Sequence, residues 1–335
     1  MVKRTPLPDA FRTLGLLAVI CIHTQPFFTP LHPSHLYTGL AIFINQAARF
    51  AVPMFFVFSG YFFGKRLIRD HKNPLIEGFL YAGKALLIWI FWCIAYLIAN
   101  NKGRIEAIRS DLHQTLTHAW MEGTQVHLWY LPSLALGILL ISILLLCRAR
   151  PWHLVILGSI LYLFGLAGAA YSNTPLGLHV SYNTRDFIFL STLFLAIGVA
   201  LSQQALPKSP YLATILILIG LPLHFIEVCL LHTFWNAPLV GQDFLIGTVP
   251  FATGIAMLAL SAPRTSNKLI TELAKVGRYS LGIYVIHFFL IERIRPLGQI
   301  LPYTLWEISL PIVILATSFV ASWLIGRTFL HRTVL

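Results

Sequence analysis

Charge is what this sequence has least of. Only 11% of its 335 residues are charged, and Asp and Glu together number 12. Ordinary soluble domains are about a quarter charged and about half apolar. Here the apolar share is 57% and the mean hydropathy is +0.75. These values exclude an ordinary soluble domain and point to an all-α, polytopic membrane protein. Cysteine is scarce as well. Cys21, Cys93, Cys147 and Cys229 all fall in apolar runs without metal-ligand spacing, so they read as buried free thiols. Tandem repeats, low-complexity tracts and a soluble domain are also missing, which leaves one membrane domain over residues 1–335. No Lys/Arg–apolar–small-residue cleavage pattern precedes the first apolar run, so that run is expected to be a retained helix. The net charge of +12 would suit nucleic acid. Basic loops facing the cytoplasm explain it better, and no nucleic-acid partner is expected.

A helix crossing ~30 Å of hydrocarbon needs about 20 mostly apolar residues. Ten segments qualify: 8–28, 39–63, 79–99, 127–147, 152–171, 186–203, 210–231, 244–261, 278–298 and 306–326. Breakers such as "RDHKNP", "RARP", "LPKSP" and "NAPLVGQD" separate them. With the N-terminus inside, 15 of the 24 Lys and Arg residues fall in cytoplasmic segments, 6 in outer ones and 3 (Arg12, Arg49, Lys84) in spans. The positive-inside rule then predicts that both termini are cytoplasmic, in a plasma or inner membrane. The outer loop 100–126 carries Ile105, Ile108, Leu112, Leu116 and Trp120 at helical spacing. It predicts a helix, either at the outer interface or packed on the bundle.

Ionisable groups inside spans must be satisfied within the bundle, and they mark function by default. The first span, "DAFRTLGLLAVICIH", carries three: Asp9, Arg12 and His23. Eleven residues make about three turns, so Arg12 and His23 share a face about 16 Å apart along the axis. Asp9 stands at i−3 from Arg12 and pairs with it. The face offers a cation near the inner mouth and a titratable base beyond the midplane. Snorkelling of Arg12 and a packing role for His23 are the structural alternatives.

In the second span Asn45 and Arg49 share a face, and Pro53 predicts a kink. Arg49 is too deep to snorkel, so it needs a partner or a substrate anion. Ser59 and Gly60 suit close helix packing. The fourth span opens with "HLWYLP", placing His127, Trp129 and Tyr130 at the outer mouth, where aromatics also form the interfacial belt. Arg185 and Asp186 flank the outer mouth of the sixth span. His224 and Glu227 share a face in the seventh, and Tyr284 and His287 share one in the ninth. Many polar groups thus converge on the outer half. The basic loops "GKRLIRDHK" and "RTSNKLITELAKVGR" line the inner side, through topology alone or to attract a polyanionic ligand.

With these residues in view, the chain resembles the acyltransferase 3 family of integral membrane O-acyltransferases. The most specific piece is Arg12 with His23 in the first span. Arg49 with "VPMFFVFSGYFF", "HLWYL" at 127–131 and "RYSLGIYVIH" at 278–287 support it in order and spacing. The resemblance is to the short stand-alone members that acetylate bacterial surface polysaccharide, without the added esterase-like domain of longer ones. It implies transfer of an acetyl or other short acyl group from cytosolic acetyl-CoA to a sugar or glycolipid hydroxyl on the far side. His23 would be base or transient acyl carrier, and Arg12 would help hold the donor. Arg49, His127 and His287 match recurrent family positions. Asp9, Trp129, Arg185, Asp186, Glu227 and Tyr284 are assigned to substrate binding from their positions in the spans. A thioester is already activated, so no metal or bound cofactor is demanded; acetyl-CoA is a co-substrate. Histidine has a pKa suited to the base. The rival reading is a transporter or flippase with a buried proton relay, although paired broken helices and an inverted repeat are not evident.

Overall fold

Helix starts follow capping chemistry. In the computed structural model, which describes residues 5–28, 34–101, 105–118, 121–261 and 267–328, Asn73 accepts from the amides of Leu75 and Ile76, and Pro74 follows it at the first helical position. Ser209 caps ahead of Pro210 in the same way. A side-chain oxygen satisfies an orphan N–H, and proline has none to lose. The described residues form α1 (Leu7–Thr24), α2 (His35–Ala47), α3 (Ala51–Asp70), α4 (Pro74–Asn100), α5 (Ile105–His118), α6 (Tyr130–Leu146), α7 (Pro151–Ala167), α8 (Ile188–Ser202), α9 (Pro210–Trp235), α10 (Thr248–Ser261), α11 (Lys268–Gly277), α12 (Ser280–Ile294) and α13 (Tyr303–Ile325). No strand occurs among them.

Every apolar segment assigned from sequence overlaps one of these helices, and 39–63 overlaps two, α2 and α3. Among the described residues, five stretches are long and apolar enough to cross a membrane: α1, His35–Asp70, α4, α9 and α13. The apolar helices α6, α7, α8 and α10 are shorter. The molecule is an all-helical membrane protein. Its chain entry into three segments differs from the sequence reading. His127 and Trp129 lie in a turn ahead of α6, and Asp186 ends a short 3-10 turn, Thr184–Asp186, ahead of α8. The helix break near Pro53 falls earlier than the proline, at the 3-10 turn Ala48–Phe50. Pro53 cannot donate to the carbonyl of Arg49 and its ring crowds that carbonyl, so the preceding turn tightens. The predicted helix of the outer loop is α5, with Leu112 and Leu116 exposed. The side chains of Ile105 and Ile108, and Trp120 as a whole, lie outside the described residues. The cysteines are free thiols, but Cys147 and Cys229 are exposed on the bundle perimeter and the other two half-buried. Apolar sequence does not separate a lipid-facing position from a buried one.

α8 is the central post, buried along nearly its whole length against α3, α6 and α7. It crosses α3 where Gly60 faces the backbone of Leu195 and Gly198 faces that of Val57. A Cβ at Gly60 would stand 2.1 Å from the Leu195 carbonyl oxygen, so neither position accepts a side chain at this spacing. One large core joins α3 and α6–α10. Two smaller ones join α4, α6 and α12, and α1, α12 and α13. The candidate site occupies the seam between these cores.

Candidate active site

α1 carries a histidine in its last turn, His23, α12 carries His287 near its middle, and the turn before α6 brings a third, His127. The ring centroids of His127 and His287 are 5.0 Å apart, those of His23 and His287 5.3 Å, and those of His23 and His127 6.2 Å. Phe288 stacks on His127 at 5.1 Å and meets His23 edge-on at 5.5 Å. Tyr284 donates its hydroxyl to the carbonyl of His127 and so ties the turn to α12. Tyr96 closes another side, donating to the Val285 carbonyl at 2.9 Å with its ring 5.4 Å from His127. Residues from distant parts of the chain, His23, His127, Tyr284 and His287, thus share one cluster.

The hydrogen bonds set the chemistry of this cluster. His287 Nδ1 donates to the Tyr284 carbonyl at 2.5 Å. Its Nε2 therefore keeps a lone pair, and that atom is buried without a hydrogen-bond partner. Both ring nitrogens of His127 are likewise buried and unpartnered. Buried polar atoms are normally satisfied, and exceptions call for an explanation such as a catalytic role. His23 is only half-buried. Among the described residues no group of His, Cys, Asp and Glu is arranged to hold a metal ion.

A cavity of about 460 Å³ leads toward this trio between α1, α3, α4, α6 and α12. Arg12, Arg66 and Lys84 line it, and Tyr81, Ser59 and Tyr130 lie along its wall. Its lining stops at Val19, Tyr130 and Tyr284. Val19 and Tyr284 are about one helical turn short of His23 and His287, and Tyr130 is three residues past His127 in the chain. Arg12 is bound by Asp9 at 2.6 Å and packs on the rings of Phe58 and Phe62, with its side chain 20% exposed. Asp9 itself is buried, so its ion pair fixes the guanidinium at the cavity wall. Arg66 pairs with Glu77 at 3.0 Å.

Arg49 stands elsewhere. Its guanidinium binds Asp243 at 2.5 Å and Asn45 at 2.9 Å. The sequence reading left partner and substrate anion open; the structure supplies a protein carboxylate. Asp243 also binds Arg185 at 2.9 Å, and Arg185 reaches Glu122 at 2.8 Å and Asp186 at 3.2 Å. The Arg185 guanidinium lies over Trp129 at 5.3 Å. Burial alone would raise the Asp243 carboxyl, but Arg185 and Arg49 hold it below its ordinary range. Burial pushes Asp186 up to about 7; Arg185 opposes this, while Glu122 and Asp243 add to it.

Glu227 is corrected. It does not join this network but accepts from the amides of Ile246 and Gly247 at 2.8 and 2.9 Å and from Tyr171 at 2.8 Å. It clamps the α9–α10 loop that carries Asp243, a structural task. Its neighbour His224 bridges Gln46 and Thr248 at 2.9 and 3.0 Å. Asp243 and Glu122 are the site residues that the sequence reading missed. Two deep arginines among 12 acidic residues were the available signal.

With this geometry described, comparison with known proteins defines the class: the chain belongs to the acyltransferase 3 family, whose model, described as an acyltransferase domain, matches residues 7–327. Among curated relatives it is similar to the serine/alanine racemase of Enterococcus gallinarum, 26% identical over 302 residues, covering 87% of this chain and 41% of the relative. It is also similar to two proteins of Enterococcus faecalis named amino-acid racemase. One is 25% identical over 95% of this chain and 45% of the relative, the other 30% identical over 58% and 28%. The chain spans less than half the length of these relatives. No solved structure matches.

Proposed function

We propose that this protein is a membrane O-acyltransferase that takes a short acyl group, acetyl in the simplest case, from cytosolic acyl-CoA. The acceptor is a hydroxyl of a sugar or lipid-linked glycan on the opposite side. The observation that carries this reading is the cavity whose lining holds Arg12, Arg66 and Lys84 and ends within a few residues of three histidines. CoA is a large anion with a thin pantetheine arm. Its phosphates meet the cations, and the arm runs along the apolar wall toward His23. Histidine takes the proton of the acceptor hydroxyl as the oxygen attacks the thioester carbonyl, and the CoA thiolate leaves. Tyr130, in the cavity lining, donates toward the developing oxyanion. Arg12 positions the donor, and Asp9 fixes Arg12.

The second reading is transport. The chain of ionisable groups from Arg49 through Asp243 to Arg185 suits a proton relay. The racemase names belong to relatives more than twice as long, and they do not say which part carries that activity. Incubation of purified protein with radiolabelled acetyl-CoA and membrane glycolipids separates the two. Labelled glycolipid is the expected product; uptake of a solute into vesicles without consumption of acyl-CoA would support transport instead.

The reading also requires ten crossings with cytoplasmic termini. On a background with the four native cysteines replaced by serine, Leu178→Cys should label from outside and Lys268→Cys only after permeabilisation. The reverse pattern would put the donor on the wrong side.

A further inference from the structure

A second cavity, of about 280 Å³, lies beyond the arginine network, between the end of α7, the Asn183–Arg185 turn and the α9–α10 loop. Its polar lining is Ser172, Asn173, Asn183, Arg185, Gln242 and Asp243. The size is just below that of small-molecule sites, which run roughly 300–1,000 Å³, so it suits no more than one small ring. Asn173 and Asn183 are exposed at the mouth, whereas Gln242 is buried.

The charges of this lining are already matched. Arg185 meets Asp243, Glu122 and Asp186, and Asp243 also meets Arg49. An ionic ligand would have to break one of these pairs and leave a partly buried charge uncompensated, which is strongly unfavourable. What the cavity offers is neutral hydrogen bonding. Each side-chain amide carries both donors and an acceptor, as a hydroxyl does. Gln242 spends a donor on the Pro238 carbonyl at 2.9 Å, which leaves its carbonyl oxygen as an acceptor. One lining residue leads toward the histidines: Arg185 lies over Trp129 at 5.3 Å, and Trp129 is two residues from His127.

We infer that this cavity is a subsite for one uncharged, hydroxyl-rich ring, a sugar unit of the acceptor, held beside the histidine trio and not at it. The inference rests on the acyl-transfer reading for the identity of the ligand as acceptor; the site itself does not depend on it. It places acceptor selection in the α9–α10 loop, and Glu227 sets that loop's position.

The test is binding without any acyl donor. Full-length protein in detergent is titrated with the methyl glycosides of glucose, galactose and N-acetylglucosamine, with serine as a zwitterionic probe and inorganic phosphate as an anionic one. Saturation-transfer NMR reads binding. At least one glycoside should bind. Asn173→Trp, which fills the exposed mouth, should abolish that binding with an unchanged unfolding midpoint. Gln242→Leu should weaken it about tenfold, as expected for one lost hydrogen-bonding group. Absence of glycoside binding, binding indifferent to Asn173→Trp, or Asn173-dependent binding of serine or phosphate would overturn the subsite. Acyl transfer that persists while glycosides fail to bind sinks the subsite alone. Glycoside binding in a protein that never consumes acyl-CoA retains the subsite and sinks the transferase.

Discussion

Arg12 and Arg49 both lie in apolar helices, yet the two halves of the molecule treat them differently. Arg12 keeps one carboxylate, from Asp9, and remains 20% exposed on the wall of an open cavity. Arg49 is 8% exposed and ringed by Asp243 and Asn45, in a network that binds Arg185 as well. The inner cation is held and still accessible. The outer one is neutralised inside the protein. Both arginines are paired, so what separates them is access: Arg12 lines an open cavity and Arg49 does not, and the predictions that follow are graded on that distinction.

The largest effect is expected where the two halves meet. His23→Ala should lower acyl transfer by about 10²–10⁴-fold, the range of a lost general base, with donor binding and the unfolding midpoint largely kept. His23→Gln should not rescue it, because glutamine hydrogen-bonds but does not take up the proton. Wild-type turnover in the glutamine variant would end the base role. An acyl-histidine trapped without acceptor would show a carrier; its absence under rapid quench favours direct transfer.

Next comes the outer network. Asp243→Ala leaves Arg49 and Arg185 short of a carboxylate. It should destabilise the protein in detergent by about 3 kcal/mol, the lower range for breaking a buried ion pair. The double variant with Arg49→Met should cost less than the two single changes added together. Full additivity in thermal melts would show that the two side chains are not coupled.

Arg12→Ala acts on the inner half and should raise KM for acetyl-CoA about tenfold, the loss of one charge-assisted contact, with a smaller change in kcat. Arg12→Lys should fall between, since it keeps the charge and loses the planar fork. An unchanged KM in both variants would remove Arg12 from donor binding.

The smallest effect is a pH slope. The Asp186 carboxyl is raised from an ordinary 3.8 to about 7. Between those values the folded protein binds more protons than the unfolded one, so stability falls as pH rises through that window and levels off above it. Asp186→Asn should flatten this part of the melting profile. A slope of unchanged size would place the titration elsewhere.

How much was legible beforehand differs between the halves in the same way. The Asp9–Arg12 pair and the Asn45–Arg49 pair sit three and four residues apart, and helical periodicity is enough to place each on one face. Tyr284 and His287 were readable for the same reason. Asp243 was not, because it lies in the "NAPLVGQD" break, 194 residues from Arg49, and no local period connects them. Glu227 was misread through an incomplete view of its neighbours: its position on α9 was right, but the amides of Ile246 and Gly247 that occupy it come from the following loop.

Composition and periodicity by themselves determined an all-helical membrane protein, the approximate positions of its apolar segments, and which polar side chains share a helix face. Those properties depend on apolar run length, capping residues and the 3.6-residue turn, all of which are local. Only the tertiary structure decided that His23, His127 and His287 meet, that the inner cavity ends within a few residues of them, and that Arg49 is satisfied by Asp243. Close helix crossings such as Gly60 against Leu195 fix these relations. Which faces meet depends on packing between helices far apart in the chain, and the periodicity of a single helix carries no record of its neighbour.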